Sequence, residues 1–299
     1  MFEGFREAYI EVGEIRLFVR QGGNPQKPPL LLLHGYPQTS AMWHLMAPLL
    51  ADDWQLIIPD LRGYGRSDKP ASSADHAVYS KREMAKDLVG LMDRLGHKQF
   101  PILSHDRGAR VAHRLGLDHP DVVKAITILD IAPTREMYAG TVMGFASAYW
   151  HWFFLIQPAP LPESIIGQNP DEFWMRKCTN QVKSQTGKDN PFSEAALAEY
   201  LSCFREPEAI HAMCEDYRAA ATIDIAHDDA DAGRKLSMPI QVLWAENGAV
   251  ERYFDTLALW RLRAEMVEGQ TVAASHYMAE EIPEMLADLI QPFLKAHLT

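Results

Sequence analysis

Short runs of apolar residues, separated by longer amphipathic stretches, set the hydrophobic pattern of this chain. Two alternating segments near the start, at residues 9–12 and 15–19, predict an antiparallel hairpin. Residues 79–95 repeat their apolar positions every three or four residues, which predicts a helix, and another helix is expected from about Gly108. The apolar runs that predict buried strands lie at residues 30–35, 54–60, 100–104, 125–130, 239–245 and 270–274. Strands that alternate with helices in this way predict an α/β fold with a doubly wound, mostly parallel sheet.

The alternation stops between about Arg135 and Arg234. This region is rich in aromatic residues and prolines, keeps a helical pattern and shows no strong strand signal. We therefore expect a helical cap, residues 135–234, inserted into a core made of residues 1–134 and 235–299. An insertion after a strand end would lie over the carboxyl edge of the sheet, where folds of this kind bind their ligands.

The charge balance narrows the partners that the chain can have. Its 299 residues include 29 Lys and Arg against 40 Asp and Glu, a formal net charge of −11. Such a protein has no electrostatic footprint for nucleic acid or for an anionic membrane surface, so any anion that it binds must be held by local cations. Three widely spaced cysteines, a start without a signal pattern and the lack of a long apolar run predict a cytoplasmic protein with reduced thiols and no membrane span.

The stretch SHDRG at residues 104–108 places an acid between small residues, at the junction of a predicted strand and a predicted helix. This is the pattern of a nucleophile elbow. An aspartate at the tip, Asp106, cannot perform serine-type acyl transfer, but it can attack an sp³ carbon and form an alkyl ester that water then cleaves. The alternative is that Asp106 only caps the helix. Backbone N–H groups of Arg107 and Tyr36 are the expected oxyanion hole for the elbow.

A general base and an acid that orients it would complete this machinery. His276 follows the last predicted strand, where folds of this order carry their catalytic histidine. Asp130, directly at a strand end, is the preferred partner for His276. Glu246 and Glu251, after the strand at 239–245, occupy the other place from which such an acid can come.

Several motifs together resemble those of the haloacetate (fluoroacetate) dehalogenases of the α/β-hydrolase superfamily. The most specific are SHDRGARVAHRL at 104–115, YWHW at 149–152 and CEDYRAA at 214–220, while HGYP and GYGRSD are shared with epoxide hydrolases and haloalkane dehalogenases. The resemblance extends over nearly the whole chain. It implies an α/β-hydrolase fold with an inserted helical cap, the hydrolytic removal of halide from small 2-haloacids, and a homodimer.

The resemblance also implies roles for the residues of the elbow and its partners. Asp106 would displace the halide from the α-carbon in an SN2 step. His276, oriented by Asp130, would activate the water that cleaves the resulting ester. No metal, nucleotide or flavin motif appears in the sequence, so we predict a reaction without a cofactor or metal.

The resemblance implies roles for two further groups of residues, one that binds the substrate carboxylate and one that binds the halide. Arg107 and Arg110 would hold the substrate carboxylate, and His151, Trp152 and Tyr217 from the cap would donate hydrogen bonds to the departing halide. Elementary electrostatics agrees, because an attacking carboxylate repels an anionic substrate unless cations lie beside it. The planar fork of arginine matches a carboxylate, and the three cap side chains all carry N–H or O–H donors.

Two departures from the family pattern concern the pocket. Val182 lies nearest the position where the family has a cap tryptophan, and an apparent insertion follows it. The last motif is SHYM in place of the usual GHF. These changes indicate a wider or less polar pocket, which would suit a larger halide or a longer 2-haloacid.

Two other functions use the same sequence features. An epoxide hydrolase would share the Asp–His–Asp machinery and use Tyr217 with Tyr149 or Tyr138 to protonate the epoxide oxygen. The arginine pair argues against it, because an epoxide has no carboxylate. A ligand receptor on a hydrolase scaffold would not need the complete set of nucleophile, base and acid.

Overall fold

A single eight-stranded sheet organises the computed structural model, which describes residues 1–187 and 190–298. The strands are β1 (Arg6–Val12), β2 (Ile15–Gly23), β3 (Pro29–Leu33), β4 (Gln55–Pro59), β5 (Phe100–His105), β6 (Val123–Leu129), β7 (Ile240–Ala245) and β8 (Val267–Val272). Their order across the sheet is β1-β2-β4-β3-β5-β6-β7-β8. β1 pairs antiparallel with β2, and β2 with β4, whereas all later pairs are parallel. The predicted mostly parallel, doubly wound sheet is therefore confirmed.

Helices cover both faces of the sheet. Those outside the predicted insertion are α1 (Met46–Leu50), α2 (Lys81–Arg94), α3 (Asp106–Asp118), α12 (Ala249–Tyr253), α13 (Thr256–Arg263), α14 (Met278–Glu281) and α15 (Pro283–Ala296). Short 3₁₀ turns lie at Ser40–Trp43 and Ala77–Tyr79. The central strands are buried on both faces, which explains why they read as unbroken apolar runs.

Between β6 and β7 the described part of the chain forms helices and no named strand. They are α4 (Thr134–Ala139), α5 (Met143–Ala148), α6 (Trp150–Leu155), α7 (Leu161–Gln168), α8 (Pro170–Thr186), α9 (Glu194–Phe204), α10 (Pro207–Ala221) and α11 (Ile223–Ala230). This is the region in which the sequence predicts the cap. Residues 188 and 189, within the apparent insertion, lie outside the described residues.

Direct contacts join this helical segment to the loops at the carboxyl ends of β3 and β4. Trp174 of α8 donates its indole N–H to the carbonyl of Pro37 at 3.0 Å, after β3. Tyr64, after β4, donates its hydroxyl to Asp216 of α10 at 2.6 Å. Both contacts are buried, so the helices enclose the edge of the sheet where the strand ends converge. None of the described helices is long and apolar enough to cross a membrane.

The observed element ends differ from the predicted ones in two informative places. The helix expected from Gly108 begins at Asp106, directly after β5. The strand expected at 270–274 is Val267–Val272, an edge strand whose side chains alternate between exposed and half-buried. A half-solvated strand lacks the unbroken apolar run on which the prediction relied.

Candidate active site

Asp106 lies at a sharp turn between β5 and α3. Its backbone has a φ of +45°, the left-handed region that an L-residue other than glycine rarely adopts. A Cβ atom added to Gly35 would lie 2.5 Å from the Asp106 Cβ, and one added to Gly108 would overlap the carbonyl oxygen of His34. Glycine is therefore required beside the turn on both sides. The strained backbone presents the carboxylate at the carboxyl edge of the sheet, as a nucleophile elbow does.

The two oxygens of the Asp106 carboxylate have different surroundings. Oδ1 accepts a hydrogen bond from the backbone N–H of Tyr36 at 2.9 Å. Oδ2 faces Nε2 of His276 at 3.8 Å, too far for a direct hydrogen bond. Burial alone would raise the pKa of Asp106, but the neighbouring positive charge, which includes the guanidinium groups of Arg110 and Arg107, holds it well below its usual range. The carboxylate is therefore ionised, with Oδ2 free of hydrogen bonds from the described residues.

Asp130 orients His276. Its Oδ2 lies 2.6 Å from Nδ1 of His276, and its Oδ1 accepts the backbone N–H of Ala245 at 2.9 Å. This contact fixes a proton on Nδ1 and leaves Nε2 on the side of Asp106. The alternative acids point elsewhere, since Glu251 accepts from the indole of Trp244 and Glu246 is exposed.

His105 supports the same histidine, a contact that the sequence analysis did not identify. Its Nε2 lies 2.8 Å from the carbonyl oxygen of His276, and the two ring centroids are 4.5 Å apart. Burial, together with the neighbouring His276, lowers the pKa of His105 to about 3, so the ring is neutral. A neutral ring must donate from Nε2 to that carbonyl. The SHDRG motif contained His105, but no local pattern distinguishes a supporting imidazole from an ordinary buried one.

Arg107 forms an ion pair with Asp216 of α10, in the helical segment between β6 and β7. Its Nε and Nη2 each lie 2.7 Å from one carboxylate oxygen of Asp216, and its guanidinium packs 4.2 Å from the ring centroid of Tyr217. Asp216 also binds the ammonium group of Lys81 and the hydroxyl of Tyr64. Two of the three nitrogens of the Arg107 guanidinium are therefore occupied by a carboxylate of the protein itself. One nitrogen, Nη1, is buried and has no partner among the described residues.

Arg110 makes only neutral contacts. Its Nη1 donates to the hydroxyl of Thr134 at 2.8 Å and to the carbonyl of Ala132 at 3.2 Å, and its Nη2 lies 3.4 Å from the sulfur of Met137. The Nε atom has no partner among the described residues. Burial and the neighbouring charge of Arg107 lower the pKa of Arg110. Its fork is thus also occupied, and each arginine keeps one nitrogen without a partner among the described residues.

Aromatic side chains from the cap surround these two arginines. Trp152 lies under the Arg110 guanidinium at 4.7 Å, and Tyr217 lies 5.1 Å from Tyr36 and 6.0 Å from His151, between ring centroids. The three predicted halide donors, on α6 and α10, therefore lie together beside Arg110 and Tyr36. Burial lowers the pKa of His151 well below its ordinary value, so this ring is neutral and carries one N–H.

Many of the buried donors around Asp106 lack a partner among the described residues. A natural protein leaves few such groups, and each requires an explanation. Besides the arginine nitrogens, the unpartnered atoms include the indole nitrogen of Trp152, the hydroxyls of Tyr36, Tyr138 and Tyr217, and one acceptor, Nδ1 of His105. Because almost all of these groups are donors and two belong to cations, the space between them fits an anion.

Val182 is not part of this space. It is fully buried in the hydrophobic core of the helical segment. The adjoining cavity is instead lined from α8 by other side chains, among them Lys177 and Gln181. The position that the sequence analysis singled out therefore does not face the cavity. Among the described residues, no group of His, Cys, Asp and Glu side chains could hold a metal ion.

Comparison with known proteins shows that this chain is similar to α/β hydrolases. Residues 28–261 match the family model of the alpha/beta hydrolase fold. A fluoroacetate dehalogenase from a Burkholderia species is 42% identical over 294 residues, covering 98% of this chain and 95% of that protein. A soluble epoxide hydrolase from a Corynebacterium species is 30% identical over 98% of this chain and 95% of its own. A solved alpha/beta hydrolase structure from Nostoc has a TM-score of 0.94 and 51% identity, covering 98% and 99% of the two chains.

Proposed function

The chain belongs to the α/β-hydrolase family, and from this premise we propose that it is a 2-haloacid dehalogenase of the haloacetate type. The observation that carries the proposal is the cluster of buried, unpartnered donors beside an ionised aspartate. A small anion with a leaving group on the adjacent carbon would use both parts of the site. The overall reaction would convert a 2-haloacid and water into the 2-hydroxyacid, halide and one proton.

Asp106 would act first, as the nucleophile. A lone pair of its Oδ2 would form the bond to the α-carbon while the carbon–halogen bond breaks, and the halide would leave with the bonding electrons. Oδ1 would become the ester carbonyl oxygen, still bound to the N–H of Tyr36. Nη1 of Arg107 and Nε of Arg110 are the donors left for the substrate carboxylate. The substrate carboxylate would thus accept one hydrogen bond from each arginine, and neither arginine would bind it through two parallel hydrogen bonds.

Cap donors would stabilise the leaving halide. Fluoride is strongly hydrated in water, so a site that releases it must supply several donors in place of that water. The indole N–H of Trp152 and the hydroxyl of Tyr217 are buried and unpartnered, and the neutral ring of His151 offers one more N–H. These three donors also lie within an aromatic cluster that excludes bulk water, which strengthens each hydrogen bond.

His276 would drive the second step. Its Nε2 would take a proton from water as the water oxygen attacks the carboxyl carbon of Asp106. Collapse of the tetrahedral intermediate would break the bond between the carboxyl carbon of Asp106 and the ester oxygen, formerly Oδ2, and His276 would return the proton to that oxygen, which becomes the product hydroxyl. Asp130 would stabilise the imidazolium through the 2.6 Å contact. The N–H of Tyr36 already lies where the negative oxygen of the intermediate forms.

Halide release from chloroacetate and from fluoroacetate, measured side by side by ion chromatography, tests the proposal. Glycolate must appear in equal amount. Release of both halides means that the three cap donors suffice for carbon–fluorine cleavage. Chloride alone would restrict the activity to weaker carbon–halogen bonds. Release of neither ion contradicts the proposal.

An epoxide hydrolase is the second candidate, because the hydroxyls of Tyr217 and Tyr138, one of the pairs that the sequence analysis names, are buried and have no partner among the described residues. A phenol pair could protonate an epoxide oxygen as Asp106 opens the ring. The similarity to a soluble epoxide hydrolase, at 30% identity, also supports this candidate. Turnover of styrene oxide to its diol, without turnover of chloroacetate, would select this function.

A further inference from the structure

A polar cavity adjoins the proposed active site. It has a volume of about 410 Å³ and is lined by α6, α8 and the segment around α12. His151 and Tyr149 belong to its wall, and His151 also stacks on Tyr36 beside the nucleophile, with 6.0 Å between ring centroids. His151 is therefore shared by this cavity and the halide side of the proposed site. Because one water molecule takes about 30 Å³, the cavity could hold on the order of ten waters, far more space than a two-carbon haloacetate needs.

The lining of this cavity has one sign of charge. Three of its side chains are cationic, those of Arg176, Lys177 and Arg252, and its amides include those of Asn180 and Asn247, whereas no carboxylate of the described residues lines it. This composition occurs in a chain whose formal net charge is −11. A cavity with amide donors and cations but no acid is suited to an anionic group.

Lys177 is the buried member of this set, with 6% of its surface exposed. Its Nζ donates to the hydroxyl of Tyr277 at 3.0 Å and lies 5.1 Å from the ring centroid of Tyr36. No carboxylate of the described residues lies within ion-pair distance of it, although an ammonium group has three N–H donors. Burial lowers the pKa of Lys177. A buried cation without a counter-charge is costly to fold and is expected where it serves a ligand.

The other two cations differ in availability. Arg176 is exposed and pairs with Glu172 of its own helix, so it has a counter-charge already. Arg252 is exposed and has no carboxylate partner among the described residues. Lys177 at the buried end and Arg252 at the open end are thus the two cations left for a ligand.

We infer that this cavity binds the distal carboxylate of a 2-haloacid that carries two carboxylates, with Lys177 as its principal ligand. The inference rests on the proposed function and names its substrate class. The first carboxylate would be held by Arg107 and Arg110, and the chain would extend past His151 to the ammonium of Lys177. A 2-halosuccinate has this form, and its hydrolysis would give the 2-hydroxydicarboxylate, halide and one proton.

The test compares kcat/KM for racemic 2-chlorosuccinate and racemic 2-chlorobutanoate, which have the same number of carbons and differ in the second carboxylate. We expect the native enzyme to favour chlorosuccinate by at least about tenfold, from one charge-assisted hydrogen bond in a buried site. Lys177→Met should reduce this ratio to about one. Arg252→Met should reduce it by a smaller factor. Lys86→Met removes an exposed lysine of α2 paired with Glu83, and should leave the ratio unchanged.

Chloroacetate separates failure of this inference from failure of the proposed function. If chloroacetate is hydrolysed but chlorosuccinate is not favoured over chlorobutanoate, the inference is wrong and the proposed function stands. The same conclusion holds if Lys177→Met keeps the native ratio. If none of the three acids is hydrolysed, the proposed function itself fails. Lys177→Met should also melt at the same temperature as the native protein or higher, since it removes an unpaired buried charge. A clearly lower melting temperature would assign Lys177 a structural role instead.

Discussion

Substitution of Arg107 by methionine should cost much more stability than the same substitution of Arg110, although both arginines are proposed to bind the same carboxylate. Arg107 is fully buried and forms a two-pronged ion pair with Asp216. Its removal leaves Asp216 with Lys81 and Tyr64 as partners. Breaking a buried ion pair costs about 3–5 kcal/mol, and the remaining partners place the expected loss at the lower end, about 3 kcal/mol.

Arg110 has no acid to leave behind. Its partners are a carbonyl, a hydroxyl and a thioether, those of Ala132, Thr134 and Met137. Methionine fills much of the same volume and removes an unpaired buried cation, so the free energy of unfolding should change by less than about 1 kcal/mol. The lost charge-assisted bond to substrate, about 1.5–3 kcal/mol, should lower kcat/KM for chloroacetate by roughly 10- to 150-fold, mainly through KM.

Thermal unfolding and chloride-release kinetics on the two variants check this contrast. Arg107→Met should melt about 5 °C or more below the native protein, and Arg110→Met within about 2 °C of it. Arg135→Met removes an exposed arginine that pairs with Asp229, and serves as the control that should change neither measurement. An Arg110→Met variant that melts as low as Arg107→Met, or that keeps native kcat/KM, would refute the reasoning.

Four further predictions follow from single contacts. Asp106→Asn should release no halide from chloroacetate, because the amide is not a nucleophile. His276→Asn should release at most one halide per enzyme molecule, since only the second step needs the base. Mass spectrometry should then find a carboxymethyl ester on Asp106. Repeated turnover would exclude the role given to His276. Gly35→Ala should lower kcat for chloroacetate by at least about tenfold and should also destabilise the fold, because its Cβ would lie 2.5 Å from that of Asp106 in a buried turn. Native kcat would show that the elbow can shift. Burial raises the pKa of Glu280 from 4.5 to about 8, so the free energy of unfolding should fall as the pH rises through this window. In urea unfolding, Glu280→Gln should therefore be more stable than the native protein at pH 9 but not at pH 4. Equal stability at pH 9 would contradict the shift.

The parts of the fold that the sequence predicts well are those with unbroken local patterns. The strand expected at 100–104 is observed as β5, Phe100–His105, because it is buried on both faces. The helix expected at 79–95 is α2, Lys81–Arg94, which begins after the hydroxyl of Ser80 caps the N–H of Glu83. β8 is an edge strand with a mixed pattern, and its predicted position was three residues late at its start.

The parts of the site that local patterns miss depend on contacts between distant residues. Asp216 meets Arg107 across 109 positions of the chain, and Lys81 meets Asp216 across 135. No spacing rule connects such residues, although Asp216 lies within the CEDYRAA motif. Lys177 has no sequence signal, because a lysine on an amphipathic helix is usually solvated. Its burial depends on how α8 packs against Tyr36 and Tyr277.

The most direct test of the account is a single turnover of chloroacetate in ¹⁸O-water, with enzyme in excess. The proposed mechanism takes the hydroxyl oxygen of the product from Oδ2 of Asp106 and puts the water oxygen into the Asp106 carboxylate. Mass spectrometry should therefore find unlabelled glycolate and ¹⁸O in the peptide that contains Asp106. Labelled glycolate from the first turnover, with no label in that peptide, would mean that water attacks the substrate directly and would contradict the central role of Asp106.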